Sequence, residues 1–136
     1  MHLIAPDVSQ IRARGNDACS WVDMAMMRTP VHPEPSRAEV EILPGCTVLE
    51  FGASWCGYCI AAQPALAAGL AAHPQVRHVK IEDGPGRPLG RSFRVKLWPT
   101  LVFLNDGREV ERLVRPADGK VVAGALERLA RADVLR

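Results

Sequence analysis

Two cysteines set two residues apart, in Trp55-Cys56-Gly57-Tyr58-Cys59, are the part of this sequence best suited to chemistry. Thiols at this spacing on the first turn of a helix can close a disulfide with little backbone movement. The first sits where unpaired N–H groups and the helix dipole favour a thiolate. The second, one turn on, is expected to face the interior, giving an exposed nucleophile and a sheltered resolving thiol. Ordinary core cysteines and half of a zinc site are the alternatives. Zinc asks for four ligands, and His73, His78, Cys46 and Cys19 supply no second pair at ligand spacing. The dithiol is therefore expected to be redox-active, with no metal and no cofactor. Glu50 is a second candidate, because a carboxylate inside the apolar strand Val48–Phe51 is costly without a partner. An outward-facing strand glutamate is the alternative.

These groups need a strand before the first cysteine and a helix after it. Thr47–Phe51 reads as the strand, rich in β-branched and aromatic residues. Cys59 to about His73 reads as the helix, dominated by Ala and Leu with Pro64 inside as an expected kink. Upstream, Ser36-Arg37-Ala38-Glu39 is a capping-box signature that opens a short helix ending before Pro44-Gly45. Downstream, Val76–Ile81 reads as a strand, Pro88–Arg94 as a short helix, and Thr100–Leu104 as a strand buried on both faces. Asn105-Asp106-Gly107 marks a hairpin turn leading into an edge strand over Arg108–Val114. Asp118 caps a closing helix. The order β-α-β-α-β-β-α predicts an α/β fold with a mixed central sheet flanked by helices on both faces. Residues 1–35, punctuated by Pro6, Pro30, Pro33 and Pro35, read as an N-terminal extension packed on a domain spanning 36–136. Asp7–Arg14 and Ser20–Arg28 are its short helical stretches.

Composition bounds the rest. At 136 residues the chain suits one domain, and 48% hydrophobic with 24% charged residues is ordinary globular composition. A net charge of +2 without a basic block predicts no nucleic-acid partner. No apolar run approaches the length of a membrane span, and the N-terminus lacks the charged and apolar regions of a secretory signal. With only 4 cysteines, a disulfide scaffold is not expected and a cytoplasmic location is. Cys19 and Cys46 are then two free thiols. Met24, Met26, Met27 and His32 read as packing rather than as a copper site. Arg87, Arg91, Arg94 and Lys96 make a modest basic patch, read as a solvated face.

From Ser36 to Arg131 the chain resembles the thioredoxin family. The strand running into Trp-Cys-Gly-Tyr-Cys, Pro64 five residues after Cys59, Trp98-Pro99-Thr100 and the Asn105-Asp106-Gly107 turn carry the likeness. The resemblance implies a thioredoxin fold in which Pro99 is cis and faces the cysteines. Trp55, Gly57, Tyr58, Trp98, Pro99 and Thr100 would then form the surface that docks an extended substrate segment. It further implies that Glu50 is a buried acid with a raised pKa that relays a proton to Cys59, and that Lys80 is its partner. Departures are Tyr58 in place of proline, Ile60 in place of a cation, Trp98 in place of a small aliphatic residue, and Arg115 in place of a groove glycine. Cys-Gly-Tyr-Cys itself looks like the active site of a bacterial disulfide isomerase.

The expected function is a monomeric protein-disulfide reductase with disulfide-bearing proteins as substrates and a dithiol reductase recycling it. An oxidase or isomerase of the same fold is the alternative, as is a redox-sensing adaptor with narrow partner specificity.

Overall fold

The computed structural model describes residues 34–134. Expectations for the extension, including its two short helices, Cys19 and the Met24–Met27 cluster, fall outside them.

Helix α1 (Arg37–Glu41) opens on the predicted capping box: Ser36 Oγ accepts the Glu39 N–H, and Glu39 accepts the Ser36 N–H in return. Strand β1 (Cys46–Gly52) is buried along its whole length. Helix α2 (Gly57–Ala71) follows, with Cys56 as its N-cap and Pro64 inside it. Then come β2 (Arg77–Glu82), α3 (Pro88–Ser92), β3 (Thr100–Asn105), β4 (Arg108–Val114) and α4 (Gly119–Val134). The boundaries move from the sequence reading by one or two residues. Helix α2 starts earlier because Cys56, not Asn or Asp, supplies its cap. Helix α3 ends earlier than predicted, and Arg94 just beyond it has a left-handed φ of 60°.

The sheet order is β2-β1-β3-β4. Strand β1 runs parallel to β2 and antiparallel to β3, and β3 runs antiparallel to β4. The β3–β4 loop is Asp106-Gly107, with φ of 53° and 82°. Both positive angles suit a hairpin turn whose twist matches its strands. A Cβ at Gly107 would also collide with the Glu41 carbonyl, so glycine is required there twice over.

Side chains alternate across β1 and divide the core in two. Leu49 and Phe51 pack with Val40, Val79, Leu89 and Phe93 on one face. Val48 packs with Leu66, Leu70, Leu126 and Leu129 on the other. Glu50 has the parity of Val48, so it lies under α2. That parity brings a carboxylate beneath the cysteines. Among the described residues no helix is long and apolar enough to cross a membrane.

Candidate redox site

The β1–α2 junction places both thiols at the end of the central strand. As N-cap of α2, Cys56 uses Sγ to accept the Cys59 N–H at 3.2 Å. The expected contrast in exposure is absent: Cys56 is 6% exposed and Cys59 4%. Trp98 is the reason, since it packs against Ala53, Cys56 and Cys59 and covers the first thiol as well as the second. Their chemistry differs nonetheless. Burial, then contact with the Cys56 thiol, pushes the Cys59 thiol up to about 12, and the nearby Glu50 charge adds to the rise. Cys59 therefore holds its proton firmly. Its sulfur sits against bare backbone: a Cβ on Gly52 would lie 2.6 Å from Cys59 Sγ.

Behind Cys59 lies a buried polar network that the sequence reading caught only in part. Glu50 Oε1 is 2.8 Å from His78 Nε2, with side-chain exposures of 1% and 0%. Gln63 Nε2 donates to Glu50 Oε2 at 2.7 Å and to the Cys59 carbonyl at 3.0 Å, joining the acid to the helix that carries the thiol. Lys80 stands opposite Glu50 in the β1–β2 register, half-buried, and contributes its charge. The expectation of a raised Glu50 pKa is overturned. Burial does push the carboxyl up, but hydrogen bonds and charge from His78, with Gln63 and Lys80, outweigh it and hold the group below 4.5. His78 had attracted notice only as a zinc candidate. It lies two residues before Lys80 on the same strand face, so its proximity to Glu50 was available from strand parity.

In front of the thiols, the Trp98–Pro99 peptide is cis. Trp98 Nε1 donates to Asp83 Oδ2 at 2.9 Å, and its ring meets Trp55 edge-on at 5.5 Å between centroids. Trp55 and Tyr58 are exposed, at 73% and 61%. Gly57 is exposed, with open space around its Cα. Arg115 lies over the Tyr58 ring, 3.9 Å from its centroid, and its Nε donates to the Trp98 carbonyl at 2.8 Å. Thr100 departs from its expected place. It is buried, its hydroxyl donates to the Leu97 carbonyl at 2.6 Å, and it shapes the loop instead of lining the surface. Asp83, Gln63 and His78 are the site residues that sequence motifs did not single out.

Cys46 is remote from this centre, buried with its thiol 3.6 Å from the Leu129 carbonyl. Among the described residues no cluster of three or more His, Cys, Asp or Glu side chains is placed to hold a metal ion.

A paired thiol at a helix N-terminus, beneath a cis-proline loop and above a buried carboxylate, defines a dithiol redox protein on a mixed four-stranded sheet. Comparison with known proteins leads to the same class. The thioredoxin family model matches residues 30–128. The structure of thioredoxin 2 from Pseudomonas aeruginosa PAO1 in its reduced form shares 54% identity at a TM-score of 0.69, covering 76% of this chain and 95% of that one. The thioredoxin of Chlamydia trachomatis is 39% identical over 74 residues, or 54% of this chain and 72% of its own. Thioredoxin H-type 1 of Nicotiana tabacum is 37% identical over 67 residues, which span 49% of this chain and 53% of the tobacco protein. The chain belongs to the thioredoxin family, whose members are thiol–disulfide oxidoreductases.

Proposed function

We propose that this chain reduces protein disulfides in the cytoplasm through the dithiol of Cys56-Gly57-Tyr58-Cys59. The observation that carries the reading is the placement of both thiols between the Trp98–Pro99 loop and the Glu50–His78 pair. A substrate segment docks along Trp98 and Pro99, with Trp55, Gly57 and Tyr58 around it. Cys56 attacks as thiolate, one sulfur of the substrate disulfide becomes bonded to Cys56 Sγ, and the other leaves as a thiolate that takes a proton. Cys59 then attacks Cys56 Sγ. Its proton passes toward the Glu50 carboxylate, and the second substrate thiol is released. Two electrons have moved to the substrate and the protein is left with a Cys56–Cys59 disulfide. A dithiol reductase restores it.

The high Cys59 pKa and low Glu50 pKa support a particular order of events. A carboxylate below 4.5 is too weak a base to ionise a resting thiol near 12, so proton loss accompanies S–S bond formation. His78, bonded to the same carboxylate at 2.8 Å, holds it in place to receive the proton. Lys80 adds positive charge that favours the ionised acid. The domain over residues 36–136 acts as a monomer, with residues 1–35 as an extension.

Equilibration of the Cys56–Cys59 couple against glutathione buffers tests the direction. A potential near about −270 mV, the value of thioredoxin, is expected for a reductase. A value of about −180 to −120 mV replaces this reading with an oxidase or isomerase. A reversible couple with poor turnover of a generic disulfide but specific capture of one partner replaces it with the redox-sensing adaptor, and absence of any reversible couple refutes the oxidoreductase reading.

A further inference from the structure

Arg115 is the charged residue at the site that the backbone least invites. It follows the end of β4 with φ of 49°, a left-handed conformation that an L side chain adopts only at a cost. Its main-chain N–H donates to the Pro99 carbonyl at 2.9 Å, and its Nε to the Trp98 carbonyl at 2.8 Å. With the guanidinium stacked on Tyr58, three residues around the dithiol hold one permanent cation at its rim. The adjoining groove, about 310 Å³, is otherwise lined by Tyr58, Ala61, Ala62, Pro99, Pro116 and Ala117. Arg115 is thus the charged residue in a largely apolar lining. Arg115 takes no part in the ion pairs Arg37–Glu41, His78–Glu50, Arg112–Glu109 and Arg128–Glu111. Beyond Trp98 the sign reverses: Asp83 accepts the indole N–H, and Glu82 accepts the Ser54 N–H at 3.4 Å. The loop that covers the cysteines therefore has a cation on its Tyr58 side and carboxylates on the other.

We propose that Arg115 forms a carboxylate subsite, so that this chain selects protein disulfides with an Asp or Glu beside the cystine. The proposal rests on the oxidoreductase reading above and narrows its substrate class. A segment laid along Pro99 meets the Trp98 carbonyl already bonded to Arg115. A substrate carboxylate compensates by engaging the guanidinium fork with charge-assisted hydrogen bonds. A neutral segment offers no such exchange, and a lysine in the same place is repelled.

Three disulfide-bonded peptides of one length, with Glu, Gln or Lys beside one cysteine, provide the test. Each is reduced in a single turnover by the pre-reduced protein, at low salt and at 1 M NaCl. The Glu peptide is expected to react about fivefold faster than the Gln peptide, the upper range for an exposed pair. The Lys peptide reacts more slowly than either, and the ratios collapse at high salt. Arg115→Gly, which also relieves the backbone, brings the three rates together, and Arg115→Lys retains part of the preference. Arg115→Gln serves as the neutral variant if the glycine loosens the loop. Equal rates for Glu and Gln in the unaltered protein, or a preference that survives Arg115→Gly, overturn the subsite. So does a uniform acceleration by Arg115→Gly with unchanged ratios, which identifies a simple cover over the Trp98 carbonyl. Reduction of none of the peptides refutes the oxidoreductase reading itself, whereas reduction of all at one rate removes the subsite alone.

Discussion

His78→Val is the perturbation that most directly probes the buried half of the site. The bond it removes is 2.8 Å long, between side chains 0% and 1% exposed, so water cannot take the lost place. Breaking one side of a buried pair costs about 3–5 kcal/mol, because the remaining charge is left uncompensated. Gln63 still donates to Glu50 and Lys80 still lends its charge, which puts the expectation at the lower end, about 3 kcal/mol at pH 7.5. The pH dependence follows from the direction of the Glu50 shift. With a folded pKa below 4.5, the carboxylate contributes stability that is full above its unfolded value and lost as pH falls through the folded one. In His78→Val the burial penalty is opposed by fewer groups and the folded pKa rises. The carboxyl then binds a proton more readily folded than unfolded, and stability declines as pH climbs past the unfolded value. The gap between the two proteins must therefore widen from pH 4 to pH 8. Urea unfolding at several pH values measures it. Glu50→Leu combined with His78→Val should recover most of the loss, since apolar replacement of a whole buried pair is often neutral. A cost under about 1 kcal/mol at pH 7.5, or one that does not change with pH, would refute the account of the Glu50 charge.

Three further outcomes are expected. Gly52→Ala puts a methyl 2.6 Å from Cys59 Sγ and should destabilise by about 1–3 kcal/mol while slowing resolution of the mixed disulfide; a variant with unaltered resolution refutes the close approach. With Cys59 pushed up to about 12, only about one molecule in ten thousand carries its thiolate at pH 8, so timed iodoacetamide labelling read by mass spectrometry should modify Cys56 far ahead of Cys59. Equal labelling would contradict the Cys59 shift. Cys59→Ser should retain substrates as Cys56-linked mixed disulfides on non-reducing gels, whereas Cys56→Ser should retain none.

What the sequence disclosed and what it hid separate along physical lines. Short-range rules located the elements: the Ser36 capping box, the Asp106-Gly107 turn and the apolar run Thr100–Leu104 each carry their cause within a few residues. The cysteine pair was legible for the same reason. Groups that meet across strands were not. Glu50 and His78 are 28 residues apart and become neighbours only through the parallel β1–β2 register, which pairs Val48 with His78 and Glu50 with Lys80. The family resemblance points to Lys80, and His78 lies one pleat away on the same strand. The raised Glu50 pKa that the resemblance implies fails for the same reason, because His78 and Gln63, which oppose the burial, meet it only in the fold. Thr100 was misplaced because adjacency to Pro99 says nothing about which way a side chain turns.

The two thiols answer to different surroundings, which in the proposed mechanism separates capture from release. Cys56 is covered from the solvent side by Trp98, whose position depends on Asp83 and Trp55 and whose carbonyl is held by Arg115. Cys59 also answers to the core side, where Gln63 bonds both its carbonyl and Glu50, and the Glu50 charge, itself set by His78, acts on its thiol. The halves meet at the thiols, where Cys56 Sγ accepts the Cys59 N–H and Trp98 packs on both cysteines, and disulfide closure disrupts that hydrogen bond as it forms the S–S bond. Changes to the loop should therefore alter which substrates form a mixed disulfide, and changes to the buried pair how fast it resolves. The separation has a structural origin. Alternating side chains on β1 and β2 fix the core half, while the connections beyond the strand ends, free of that alternation, supply the half proposed to meet the substrate.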